Sequence, residues 1–368
     1  MSAKHVHYFD RLRLMAAISV VYMHVAAGPL RATINTDWHF INILSCFAFT
    51  AVPLFLMMSG YLILNSEKTA DISFLFKKRL PHLVIPLIGW SAVAIIWRMI
   101  ASQNYSISLF FDEMLSILHT PAWIHLWYMY ALIVLYIISP VLYGGLRSLD
   151  KKGHILVFSI ICLISARTML QALVPDSIKE YTRVSILADL DILGGTLAMF
   201  LLGYYLGTLQ KRIPNIILIV AIILLLATIV IGTYFLTERN GYFDQTFQYQ
   251  YSGFEVVLAA CVFLLFKQNY NKPCSFFTHI PFIPLALPIY LMHNILLSMM
   301  GYIFTITTLW DTIYITVLNL FICYFTLKTV ATIKPICYLA TGMSFRTACE
   351  TCNWVYTFRK QAHALRDK

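Results

Sequence analysis

The chain has 368 residues, of which 60% are hydrophobic and 12% charged, against about 25% charged in an ordinary soluble domain. A core of this size cannot hide that share of apolar surface, which excludes a water-soluble globular protein and leaves a chain lying in or beside a bilayer. The net charge of +10 gives no reason to expect a nucleic-acid partner, because the basic residues are placed as membrane orientation requires.

Apolar runs near the length a spanning helix needs, about 20 residues, fall at 12–28, 40–64, 82–100, 126–145, 154–172, 189–209, 213–236, 252–267, 284–304 and 312–333. They predict an all-α integral membrane protein, a bundle of about ten transmembrane helices. Lys and Arg are retained on the cytoplasmic side. With the N-terminus inside, that side collects Lys4, Arg11, Arg13, Lys68, Lys77, Lys78, Arg79, Arg147, Lys151, Lys152, Lys211, Arg212, Lys267 and Lys272, then Lys328, Lys334 and the basic residues beyond. The expected topology is N-in and C-in.

No small-residue cleavage site closes the apolar run after Arg13, so the first helix is expected to stay in the protein. No Gly/Ser/Pro linker or internal repeat interrupts the chain. Residues 1–368 therefore read as a single transmembrane module, with 334–368 a short basic cytoplasmic tail. The longest outward segments, 101–125, 173–188 and 237–251, are rich in Tyr, Trp, His and Asp. They suit either interfacial aromatics or a lining for a polar substrate. Cys349 and Cys352 form a C-x-x-C with no second pair at zinc-binding spacing, so neither a metal nor a disulfide is expected.

The first helix carries Arg13 and His24, eleven residues apart. At 3.6 residues per turn that is close to three whole turns, so both project from one face, about 16 Å apart along the axis. Arg13 is expected at the cytoplasmic edge and His24 near mid-membrane, where a charge costs about 2.5–3.5 kcal/mol on insertion scales. A neutral, inward-turned imidazole there serves either as a general base or as a hydrogen-bond donor to a neighbouring helix.

Asp10, Arg13 and His24 together resemble the opening of the membrane-bound acyltransferase-3 family. The likeness continues in Val52-Pro53-Leu54-Phe55-Leu56-Met57-Met58-Ser59-Gly60-Tyr61-Leu62, in Phe76-Lys77-Lys78-Arg79, in His125-Leu126-Trp127-Tyr128 and in Ile289-Tyr290-Leu291-Met292-His293. The chain departs from the family pattern at His82, where a second arginine is usual, and at Leu287-Pro288, where small residues are usual.

The resemblance implies transfer of an acyl group, usually acetyl from acetyl-CoA, to an envelope saccharide or lipid-linked glycan, as in bacterial surface-polysaccharide O-acetyltransferases of the inner membrane. It makes His24 and Arg13 the catalytic candidates. Arg13, Arg79, Lys78, Ser59 and Tyr61 are the candidates for holding coenzyme A at a basic cytoplasmic mouth, since arginine pairs phosphate oxygens bidentately. His125, Trp127 and His293 are the candidates for lining the acceptor site, His293 as a shaping or orienting residue. Membrane lipid is the remaining expected partner. A transporter or flippase for a lipid-linked glycan is the alternative from another class, and it calls for inverted repeats or broken helices in matching halves. A non-catalytic partner of a polysaccharide synthase is a third reading.

Overall fold

The computed structural model describes residues 6–174, 191–273 and 282–352. The basic tail beyond 352, Lys4 and most of the 173–188 segment lie outside them. Every regular element among the described residues is helical. The longer ones are α1 (His7–Leu30), α2 (Thr36–Ala48), α3 (Ala51–Leu64), α4 (Pro81–Ala101), α5 (Ile107–Ser116), α6 (Trp127–Ser148), α7 (Lys151–Leu173) and α8 (Asp191–Thr208). They continue with α9 (Asn215–Asn240), α10 (Gly253–Asn269), α11 (Phe282–Met300), α12 (Leu309–Val330), α13 (Lys334–Thr341) and α14 (Phe345–Cys352).

Eight stretches among the described residues are helical, long and apolar enough to cross a membrane: His7–Leu30, Thr36–Leu64, Ile72–Ala101, Ile124–Ser148, Lys151–Leu173, Asn215–Asn240, Phe282–Met300 and Leu309–Val330. The two other expected crossings are also helices, α8 and α10, the latter only 17 residues long. The run expected as one helix over 40–64 divides at Phe49 and Thr50 into α2 and α3. Pro53 has no N–H to donate to the carbonyl of residue 49, so the ladder cannot pass straight through, and the Thr50 hydroxyl donates to Phe47 O at 2.7 Å instead. By contrast, α11 runs without a break through Pro288.

The chain divides into two compact units. The first contains Met1–Ile72, Leu135–Pro273 and Ile306–Ile315. Its tightest crossing is between α3 and α8, where glycine on each side lets backbones touch. A Cβ on Gly60 would lie 1.8 Å from the Phe200 carbonyl oxygen, and one on Gly203 would lie 2.0 Å from that of Met57. Small residues serve this purpose in membrane helices, where the lipid tails are as apolar as leucine and close packing drives association.

At one end of this unit, basic side chains satisfy the carbonyls that helix ends leave open. Lys267 donates to Leu206 O at 2.8 Å and Leu209 O at 2.6 Å. Arg212 donates to Gln268 O at 2.7 Å, and Arg11 donates to the carbonyls of Tyr270 and Lys272. A cleft of about 170 Å³ lies here, lined by Gln210, Lys211, Arg212, Lys267 and Gln268.

The second unit contains Ser73–Val134, Cys274–Thr305 and Thr316–Lys368. Residues 334–352, which the sequence assigns to the tail, form α13 and α14, and α13 packs on α4. Trp90 Nε1 donates to Ala340 O at 2.9 Å, the His82 ring bonds the Gly342 carbonyl, and a Cβ on Gly89 would lie 2.6 Å from Leu339 O. Gly342 ends α13 in the left-handed region at φ +68, where glycine carries no Cβ penalty.

Adding a methyl group at Gly60 or Gly203 forces the α3–α8 backbones apart, whereas Gly144 in α6 has nothing within 4 Å of its Cβ position. Gly60→Ala and Gly203→Ala are expected to destabilise the purified protein by about 1–3 kcal/mol. Gly144→Ala is expected to gain about 0.5–1 kcal/mol through helix propensity. Thermal unfolding in detergent, followed by size-exclusion chromatography, reads both signs.

Candidate active site

Within the first unit, α1 is one continuous helix, so Arg13 and His24 share a stripe as their spacing requires. Between them on that stripe, Ala17 and Val20 are buried at 4% and 2% exposure, while Ile18 on another face is 41% exposed. The stripe therefore faces protein, and the lipid-facing side lies elsewhere on the helix. Arg13 and His24 themselves are half-buried, less closely covered than the residues between them.

Tyr61 is brought to the Arg13 end. Its ring meets Phe9 edge-on with centroids 5.5 Å apart, and Phe9 lies one turn before Arg13 on the same face. Gly207 makes room for the Tyr61 ring, since a Cβ there would sit 2.0 Å from it. Ser59 is half-buried in the same turn of α3. The Gly60 between them is explained by its backbone contact with α8. Farther along α1, the Trp38 indole donates to Leu30 O at 3.0 Å, and Tyr22, Ala26 and Leu30 pack with Trp38 and Ile41. These contacts fix the rotation of the half of α1 that carries His24.

The other candidates belong to the second unit. Lys78 is exposed and Arg79 half-buried, with the Arg79 guanidinium 5.5 Å from the centroid of the Phe74 ring. They lie in a π-helical turn, Leu75–Arg79, closed by Leu80 N to Leu75 O at 2.9 Å. Such single-turn insertions are frequent at functional sites. Nothing in the apolar pattern announced this one.

His125 and His293 form a buried pair, 2% and 0% exposed, with ring centroids 5.0 Å apart. Carbonyl oxygens only accept, so the ring nitrogens facing them carry the hydrogens. His125 Nε2–H points to Leu291 O at 3.2 Å, leaving Nδ1 to accept from Asn294 Nδ2 at 3.5 Å. His293 Nδ1–H points to Tyr290 O at 2.6 Å, which puts the lone pair of that ring on Nε2. The Tyr290 hydroxyl donates to the His125 carbonyl, and Asn319 Nδ2 donates to the His293 carbonyl at 2.9 Å.

The approach to His125 is braced by the Arg98–Glu113 ion pair at 2.6 Å, by Arg98 Nη1 on Ala122 O at 3.3 Å and by the Tyr130 hydroxyl on Ile117 O at 2.6 Å. Trp127 is half-buried beside Tyr128, at the start of α6. Sequence reading missed Asn319. Its signal was a polar amide in the middle of the apolar run of α12.

The model of the family described as acyltransferase domain, acyltransferase-3, matches residues 6–333. The chain belongs to that family. It is a multi-pass membrane acyltransferase, and the match ends where α13 begins. No curated protein and no solved structure matches the chain. In the acyltransferase, the five sequence strings divide between the two units. Those around Arg13, His24 and Ser59–Tyr61 fall in the first, and those around Lys78–Arg79, His125 and His293 fall in the second.

Tyr290→Phe removes one hydroxyl and no volume that the packing uses. It is expected to cost about 0.6 kcal/mol and at most about 1.7 kcal/mol, the average and maximum measured for interhelical hydrogen bonds in a membrane protein. A lowered melting temperature with an unchanged elution profile would bear this out. An unchanged melting temperature would show that the Tyr290–His125 bond braces nothing.

Proposed function

We propose that this acyltransferase moves an acetyl group from cytosolic acetyl-CoA to a hydroxyl of an envelope saccharide or lipid-linked glycan presented at the outer face of a bacterial inner membrane. The observation that carries the reading is the protein-facing stripe of α1, with Arg13 and His24 three turns apart and half-buried while the residues between them are buried. A cation at one end and an imidazole about 16 Å away suit a donor whose phosphates stay near the cytosol while its thioester reaches the membrane interior.

In this mechanism Arg13 pairs phosphate oxygens of coenzyme A, with Ser59 and Tyr61 beside the arm of the donor, and Arg79 and Lys78 of the second unit are the further candidates for phosphate. His24 takes the proton from the attacking hydroxyl, a contribution of about 10²–10⁴-fold for a positioned general base. The alkoxide adds to the thioester carbon, the C–S bond breaks, and the thiolate leaves and is protonated. A relay is the other route, in which His24 is acetylated first and then passes the group to the hydroxyl. His293, with its lone pair on Nε2, orients the acceptor. His125, with both ring nitrogens engaged by Leu291 and Asn294, braces His293, and Trp127 lines the approach.

We read α8 and α10 as crossings as well, giving ten with both termini inside. This reading is supported by the first unit, where the start of α1, the end of α8 and the end of α10 meet through Arg11, Arg212 and Lys267. That arrangement is the parity expected if α8 and α10 both cross.

Membranes holding matched amounts of wild type, His24→Ala and Arg13→Ala are incubated with radiolabelled acetyl-CoA, and label in saccharide is counted. The wild type is expected to transfer label. His24→Ala is expected to lose about 10²-fold or more, and Arg13→Ala is expected to weaken apparent donor affinity. Full activity in His24→Ala would overturn the mechanism. Absence of transfer by the wild type would favour the carrier reading. Label held on wild-type protein without acceptor, and absent from His24→Ala, would select the relay.

A further inference from the structure

The first unit buries a further set of polar side chains besides those of α1. Glu255 stands near the start of α10 at 0% exposure, and neither carboxyl oxygen has a hydrogen-bond partner among the described residues. It lies within electrostatic reach of Cys46, whose thiol also points to Gln248 Oε1 at 3.4 Å and Asn42 Oδ1 at 3.3 Å. The Gln248 Nε2 and the hydroxyls of Ser252 and Ser45 are likewise buried without a partner among the described residues. Around them Ile229, Phe247, Phe254 and Leu258 form an apolar wall, and burying such groups without partners is costly.

Two ordinary explanations do not cover Glu255. The string Ser252-Gly253-Phe254-Glu255 has the capping-box pattern, in which Ser and Glu exchange bonds with each other's backbone N–H groups. Here Ser252 makes no side-chain cap bond, and its own N–H is taken by Tyr249 O at 2.7 Å. No ion pair at Glu255 occurs among the described residues either. The loop before α10 is held in place by its own bonds: Asp244 accepts from Asn240 Nδ2 and from Thr246 N, both at 2.8 Å, and its own N–H meets the Thr237 hydroxyl at 3.1 Å.

The chemistry of the set selects its guest. Carboxyl oxygens accept, the Gln248 amide nitrogen donates, and the serine hydroxyls do either. A bare cation would satisfy Glu255 and repel the Gln248 N–H. A hydroxyl both donates and accepts, and so matches the whole set. We propose that Glu255, Gln248 and Ser252, with Ser45, form a hydroxyl-binding site that receives the acceptor saccharide through the 241–252 segment. The inference rests on the acyl-transfer reading, in which that segment lies on the outer side. A trapped water offers the same chemistry, and the test separates the two.

Membranes carrying the full-length wild type, Glu255→Gln, Gln248→Ala and Ser252→Ala are compared at equal amounts of folded protein. Retention of radiolabelled CoA and transfer of radiolabelled acetyl to saccharide are read side by side. Glu255→Gln replaces the hydrogen-bonding carboxyl with an amide and is expected to cut transfer about tenfold or more while CoA retention stays within about twofold. Glutamine supports a capping box as well as glutamate does, so unchanged transfer in Glu255→Gln would mean capping and overturn the proposal. A lowered melting temperature with unchanged transfer per folded molecule would mean a structural water, and also overturn it. If Glu255→Gln does not fold, reduced transfer with retained CoA in Gln248→Ala and Ser252→Ala supports the site, and unchanged transfer in both refutes it. A wild type that transfers no label would instead remove the acyl-transfer reading and this site with it.

Discussion

A polar group inside a bilayer has no water to turn to, so its partner must come from the protein. Most of the side-chain geometry in this acyltransferase follows from that constraint. The carbonyls at the ends of α8 and α10 are met by Lys267, Arg212 and Arg11. Those of Tyr290, Leu291 and His293 in α11 are met by His293, His125 and Asn319 respectively. Where glycine removes a side chain, at Gly60 and Gly203, backbones close the gap directly. The same rule makes Glu255 conspicuous, because it is a fully buried acid with neither carboxyl oxygen bonded among the described residues.

Helices were legible because the apolar runs match the thickness a crossing needs, and the family was legible because its short strings fall in order. The orientation of α1 was also legible, since Arg13 and His24 are separated by a near-whole number of turns. The division at Phe49–Thr50 was less so. Hydropathy stays high through it, and only Pro53 marked the spot. The π-helical turn before Leu80 left no trace in composition, because one extra residue in a basic, mostly polar stretch changes no average.

The site residues were read less completely than the fold, for a physical reason. His125 sits in an aromatic-rich segment that sequence places at the membrane interface, yet its ring is buried and committed to α11. Interface and interior use the same amphipathic residue types, so residue type alone could not separate them. Asn319 and Glu255 were each a single polar letter, one in an apolar run and one at the start of a helix, where an acid reads as ordinary capping. Only three-dimensional neighbours distinguish an acid that caps from one that is buried near Cys46.

The basic side chains at one end of the first unit carry two kinds of information at once. Arg11, Arg212 and Lys267 belong to the charge asymmetry that tells an inserting chain which side to keep, and in the finished unit each also closes carbonyls at a helix end. A segment threaded the wrong way would strand its cation across the bilayer and leave those carbonyls bare. The same three side chains therefore tie the packing of this end of the unit to the side on which its charges lie.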